Sequence, residues 1–228
     1  MVAQPAPRLL IPVHELEDSQ LPRVGLRPVP YAAAKRLIDI VVSLVSLAIL
    51  FIPLAIVYLL VKLTSRGPAI YKSERIGMGG RPFTFLKFRT MHVDAEERLE
   101  ELRRRNEKDG PIFKMVKDPR VTPIGRFLRK TSIDELPQLI HVLTGQMTLV
   151  GPRPPIRSEV IQYDDGALER LSVKPGITCY WQIQGRSNLS FNEWIELDRK
   201  YIHEMSLGTD LKILLQTPVA VFTCRGAY

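Results

Sequence analysis

From Leu37 to Val61 the chain runs for 25 residues with one charged side chain, Asp39, near its start. A helix of that length crosses the roughly 30 Å hydrocarbon core of a bilayer, so the rest of the fold has to be arranged around a membrane segment. The run begins too deep in the chain for a secretory leader, and no small-residue cleavage site follows it. Two details bear on its course. Pro53, near the middle, removes one backbone hydrogen bond and bends a helix. Lys35 and Arg36 flank one end and Lys62, Arg66 and Lys72 the other, whereas a simple crossing concentrates basic residues on its cytosolic side. A re-entrant membrane helix-hairpin, dipping into one leaflet with both ends cytosolic, satisfies both details. A plain single span, the commoner fate of such a run, is the alternative the residues leave open.

The net charge of +8 is concentrated: residues 62–91 hold seven basic side chains against one acidic, and residues 112–131 hold six against one. Such density attracts an anionic membrane surface and a polyphosphate alike. Nucleic acid is set aside as a partner. Its best footprint, Arg103-Arg104-Arg105, lies between Asp94 and Asp109, where seven acidic residues outnumber five basic ones. His14, His92, His141 and His203 lack ligand spacing and Cys179 and Cys224 form no CxxC pair, which argues against zinc and suits a reducing, cytosolic compartment.

Three regions follow from this pattern. Residues 1–30, with six prolines and no periodicity, read as a loosely ordered arm. Residues 31–65 hold the membrane helix, and residues 66–228 a cytosolic-face domain that is mainly α with a small β-hairpin. The hairpin is Ala69–Ile76 and Phe83–Met91 about Gly77-Met-Gly-Gly80, and alternation places Lys87 and Arg89 on one strand face. Helices are expected from Asp94 to about Asn106, with Asp94 and Glu97 as a capping box, over Ser158–Leu171, and over Phe191–Met205. Lys174-Pro-Gly-Ile-Thr178 reads as a turn, and Gly185 permits a tight bend beside Arg186. Asp210–Phe222 is expected as an amphipathic helix lying on the bilayer surface.

The chemistry concentrates in Arg126-Phe-Leu-Arg-Lys-Thr-Ser-Ile-Asp-Glu-Leu-Pro137. Asp134 and Glu135 stand directly behind a cationic run of Arg126, Arg129 and Lys130. Ser132 can cap a helix carrying Leu136, Leu139, Ile140 and Leu143, with Glu135 completing a capping box. Two features resist that purely structural reading. Pro137 would fall at the fifth helical position, where it crowds the carbonyl of Ile133. The segment also ends in Val150-Gly-Pro-Arg-Pro-Pro155, which holds Arg153 among rigid residues. Carboxylates on a strained helix start, ringed by arginines, read as a place for magnesium and phosphate, with pure capping left open as the alternative.

Several motifs then stand in one order: Lys35-Arg36-x-x-Asp39 before the proline-containing apolar helix, Phe85-x-Lys87-Phe-Arg-Thr-Met91, Thr131-Ser-x-Asp-Glu-Leu-Pro-Gln138, Val150-Gly-Pro-Arg-Pro154, Lys174-Pro-Gly-Ile-Thr178, Gln-Gly-Arg186 and Asp210-Leu-Lys-Ile213. In that order, over about residues 30–228, they resemble the bacterial sugar transferases called monotopic phosphoglycosyl transferases, in their small form without additional N-terminal helices. The resemblance implies transfer of a sugar-1-phosphate from a UDP-sugar to undecaprenyl phosphate at the cytosolic face of the inner membrane, with release of UMP. It implies Asp134 as the nucleophile of a covalent phosphosugar intermediate and Glu135 as a magnesium ligand. Arg153, Arg186, Lys87, Arg89 and Arg129 are the candidates for a phosphate cradle. Two positions depart from the family pattern: Ile52 replaces a serine before the bend proline, and Cys179 replaces a glycine after the Pro-Gly-Ile-Thr turn. A non-catalytic membrane scaffold and a polyprenyl-phosphate binding protein are the competing readings. The sequence leaves the sugar and a homodimer open.

Overall fold

The computed structural model describes residues 28–107 and 110–223. Most of the expected N-terminal arm, and Cys224, lie outside them. The first element, α1, is one helix from Val29 to Thr64. Pro53 lies inside it without ending it, because the proline removes only the bond that Ile49's carbonyl would accept and the ladder continues on both sides. Tyr31, Lys35, Asp39, Ser43, Leu47, Leu54, Val57 and Val61 recur at steps of three, four or seven and form the face that meets the rest of the chain. Much of the remaining surface is exposed and apolar, including Leu44, Ile49, Phe51, Ile52 and Leu63. Both ends of α1 therefore rest on one body, the first against the main core and the last against Ala69, Phe88 and Leu128.

Strands β1 (Ile70–Ile76) and β2 (Pro82–Phe88) pair antiparallel, with Tyr71 opposite Lys87 and Arg75 opposite Phe83. The turn uses Gly79 and Gly80 at φ of 70° and 72°, a conformation that costs glycine little. Two strands alone are marginal; these are held because Phe83 and Phe85 of the inner face enter the main core. The helix expected over Asp94–Asn106 shrinks to one turn, α2 (Leu99–Leu102), and a 3₁₀ turn over Arg103–Arg105. Asp94 binds Arg98 instead of capping, and only Ala95 and Leu102 of this stretch are buried, too little apolar contact to hold a longer helix.

Helix α3 (Pro123–Thr131) starts with Thr122, whose hydroxyl accepts the N–H of Gly125 at 3.0 Å. It ends at Ser132, a left-handed residue with φ of 56°. A 3₁₀ helix, Ile133–Gln138, packs on β2 and leads into α4 (Leu139–Thr144), stopped by Gly145. Strand β3 (Thr148–Val150) pairs in parallel with β4 (Gly176–Thr178), so the second half of the expected Lys174–Thr178 turn is a strand. Gly176 fits because a Cβ there would lie 2.1 Å from the backbone nitrogen of Gly151. The helix expected over Ser158–Leu171 is broken into α5 (Arg157–Val160) and α6 (Asp165–Leu168), since Asp164 accepts the Ala167 N–H and caps a new start at Asp165.

Helices α7 (Tyr180–Gln184), α8 (Phe191–Glu204) and α9 (Leu207–Thr223) close the core. The α8 start carries a capping box of Ser190 and Glu193. Trp194 and Tyr201 of α8 are buried, as the amphipathic reading requires, while α9 exposes Leu211, Leu215, Val219 and Phe222 along one side. Over the described residues the architecture is mainly helical with two small sheets. The parallel pair is an addition to the expected fold.

Candidate active site

A cavity of about 650 Å³ opens between the inner face of the hairpin, the 3₁₀ helix, the Arg153 turn and α7, with Gly110–Met115 as an outer wall. Asp134 and Glu135 enter it from the 3₁₀ helix. The expected capping box is absent. Ser132 is left-handed and its side chain caps nothing, while Glu135 turns to Arg153, Oε1 accepting from Nη1 at 3.2 Å. Within the 3₁₀ winding Pro137 removes a single backbone bond, the one the Asp134 carbonyl would accept.

Asp134 is buried, yet among the described residues its carboxylate takes part in no hydrogen bond or ion pair. Burial is the largest influence on it and, with the like charge of Glu135, pushes its carboxyl up to about 7 against the opposing pull of Lys87, Arg129 and Arg153. The same crowding acts in reverse on the cations. Burial, then the positive charge of Arg129, pushes the Lys87 ammonium down to about 8. Arg129, whose Nε donates to the Thr90 hydroxyl at 3.0 Å, is lowered chiefly by burial. The result is an under-solvated carboxylate with open lone pairs facing an excess of positive charge.

Lys87, Arg129, Arg153 and Arg186 of the expected cradle all line this cavity. Arg186 is buried, with Nη2 at 3.4 Å from the Ser132 hydroxyl, and it, rather than Gly185, takes the left-handed turn at φ of 52°. Arg89 is a correction. Strand β2 ends at Phe88, so the alternation that aligned Arg89 with Lys87 breaks there. The Arg89 guanidinium instead donates to the carbonyls of Ser65 and Arg66 and the Ser65 hydroxyl, anchoring the exit from α1. Sequence reading missed Arg75, Trp181, Trp194 and the Gly110–Met115 wall. For Arg75 the signal existed: its cross-strand register puts it on the face of Lys87.

Among the described residues no three His, Cys, Asp or Glu side chains gather as a ready-made metal cage. Magnesium does not need one, since it keeps several waters and takes one or two carboxylates together with substrate phosphates. Asp134, and the Glu135 oxygen not bonded to Arg153, fit that donor set.

The profile of the family described as Bacterial sugar transferase matches residues 30–224. The chain belongs to the bacterial sugar transferase family. The galactosyl transferase CpsE of Streptococcus agalactiae serotype III is 46% identical over 196 residues, 85% of this chain and 43% of that protein. The exopolysaccharide production protein ExoY of Rhizobium meliloti is 41% identical over 209 residues, 90% of this chain and 92% of ExoY. The UDP-glucose:undecaprenyl-phosphate glucose-1-phosphate transferase of Escherichia coli K12 is 38% identical over 224 residues, 93% of this chain and 46% of that enzyme. The chain thus spans less than half the length of two of these relatives and nearly all of the third.

Within this bacterial sugar transferase fold, the motifs distant from the cavity have a mechanical role. Asp39 accepts from the Thr148 hydroxyl at 2.8 Å and the Leu149 N–H at 2.9 Å, fixing β3 to α1. Arg36 donates to the carbonyls of Val142 and Leu143 at the end of α4, where a cation also suits the helix dipole. Lys35 pairs with the buried Asp210 at 2.8 Å and donates to the Val150 carbonyl at 3.0 Å. These contacts dock α1 onto the strand that leads into Arg153.

Proposed function

We propose that this protein transfers a sugar-1-phosphate from a UDP-sugar to undecaprenyl phosphate, releasing UMP, as a membrane step of bacterial polysaccharide assembly. The observation that carries the reading is Asp134: a buried carboxylate without a structural partner, under Lys87, Arg129 and Arg153. A scaffold or a lipid-phosphate binder gains nothing from an under-solvated anion in a cationic cavity. A nucleophile does, because its ionised form, which takes over as pH rises through about 7, is poorly solvated and needs no base to attack.

In the proposed reaction an Asp134 oxygen bonds to the β-phosphorus of the UDP-sugar. The bond from that phosphorus to the bridging oxygen breaks, and UMP leaves with the electron pair. A phosphate oxygen of undecaprenyl phosphate then displaces Asp134 from the same phosphorus, giving the diphosphate-linked sugar and the free carboxylate. Lys87, Arg129 and Arg153 orient the phosphate oxygens and offset the charge that builds on them. Magnesium, which Glu135 and Asp134 would hold, would supply charge neutralisation for the phosphate of the departing UMP. The names of the relatives put galactose and glucose first among the sugars to test.

We further infer that α1 is re-entrant and the enzyme monotopic on the cytosolic face of the inner membrane. Both ends of α1 pack on one body, both flanks are basic, and its outer surface is apolar. The test of the activity is direct: purified protein, undecaprenyl phosphate, magnesium and UDP-galactose or UDP-glucose should yield UMP in step with lipid-linked sugar. No UMP from any UDP-sugar would return the protein to the scaffold reading.

A further inference from the structure

Arg75 stands out among the cavity cations because, among the described residues, no carboxylate pairs with it and its buried Nε–H has no acceptor. The two nearby carboxylates are engaged elsewhere: Glu135 takes Arg153, and Glu159 takes the Ile156 N–H at 3.2 Å. The guanidinium is nevertheless held firmly. Nη1 donates to the Pro154 carbonyl at 3.2 Å, and the group lies 5.2 Å from the centroid of the Phe85 ring. Arg170 grips the preceding carbonyl, that of Arg153, at 3.3 Å, so the turn bearing Arg153 is pinned at two successive residues.

The cations of the cavity divide into two groups. Lys87 lies over the ring of its cross-strand partner Tyr71, 5.4 Å from the centroid, and its charge reaches Asp134 together with those of Arg129 and Arg153. Arg75 stands four residues further along the same face of the hairpin, at the Pro154 carbonyl beside Arg153. Lys87 and Arg129 are thus on the side of the nucleophile, Arg75 is toward the Arg153 turn, and Arg153 stands between them. A diphosphate has two phosphorus centres and asks for that division. We propose that Arg75, together with Arg153, forms a second anion subsite that takes the phosphate of the departing nucleoside monophosphate. This rests on the transferase reading and deepens it: Arg75 holds the leaving group while Lys87 and Arg129 hold the phosphorus under attack.

The experiment measures binding of UMP and of uridine to the full chain in detergent, alongside KM for the UDP-sugar and thermal stability. Arg75→Ala should weaken UMP by about ten- to a hundredfold, the loss expected of charge-assisted hydrogen bonds, and leave uridine within about twofold. Arg75→Lys keeps the charge and loses the fork, so it should fall between, with the fold intact. A double cycle with Arg153→Ala separates direct contact from bracing: a further loss of UMP affinity on removing Arg75 supports contact. An equal loss for UMP and uridine, or no further loss in the Arg153→Ala background, would overturn the subsite. If the wild type releases no UMP from UDP-sugars, the transferase reading fails first and independently.

Discussion

Replacing Asp134 by asparagine should stabilise the protein while abolishing turnover. The folded state raises this carboxyl from its ordinary value to about 7, chiefly through burial. A three-unit rise would correspond to roughly 4 kcal/mol held against folding above neutral pH, at about 1.4 kcal/mol per unit. Lys87, Arg129 and Arg153 lose a counter-charge in the variant, which offsets part of that gain. About half, or ~2 kcal/mol, is the expected net, equivalent to a rise in Tm of roughly 4–8 °C for a chain of this size. The sign with pH follows from the raised value. Between the ordinary carboxylate range and about 7 the folded wild type holds a proton that the unfolded chain has lost, so wild-type stability falls as pH climbs through that window and levels above it. Asparagine removes this slope. Differential scanning fluorimetry in detergent at about pH 5.5 and about pH 7.5, both below the Lys87 value of about 8, should show the variant's advantage growing with pH. If Asp134 were a structural ion-pair partner, the same change would cost about 3–5 kcal/mol. A lower Tm for Asp134→Asn at neutral pH would refute the reasoning.

Three other outcomes follow from particular contacts. Glu135→Gln should lose most activity and recover part of it in excess magnesium, with chelator silencing the wild type and calcium substituting poorly; full activity in chelator would remove the metal from the account. Arg89→Ala should lower stability by about 1–3 kcal/mol through the orphaned carbonyls of Ser65 and Arg66, with KM for the UDP-sugar unchanged, and a KM effect like that of Arg153→Ala would restore Arg89 to the cradle. Single cysteines near residues 10 and 100 of a cysteine-free variant should both resist an impermeant thiol reagent on intact cells, and Pro53→Leu should expose residue 10 in a fraction of molecules. Labelling of residue 10 alone in the unmodified helix would mean a true span.

What could be read from the sequence was what local pattern specifies. The glycine-punctuated hairpin, the amphipathic α8 and the paired carboxylates each rest on neighbouring residues. What could not be read depends on partners far along the chain. The β3–β4 pair joins two three-residue strands too short to show a period. The helix over Ser158–Leu171 kept its apolar spacing, but Asp164 had a nearer use for its carboxylate as a cap. Asp134 and Glu135 were legible as candidates, yet the 3₁₀ winding that frees Glu135 for Arg153 follows from Ser132 adopting a left-handed conformation. Arg89 was misassigned because strand alternation was carried one residue past Phe88, and Arg75 was missed because its register was not followed across the hairpin.

The central claim is that Asp134 bonds covalently to the phosphosugar. Wild-type protein given UDP-sugar and magnesium without lipid should release up to one equivalent of UMP and gain the mass of one sugar phosphate, as a two-step displacement requires. Peptide mapping should place that mass on the fragment containing Asp134, and undecaprenyl phosphate should remove it. A protein that turns over with both substrates yet never carries the adduct, or an Asp134→Asn variant that is folded and still active, would contradict the claim.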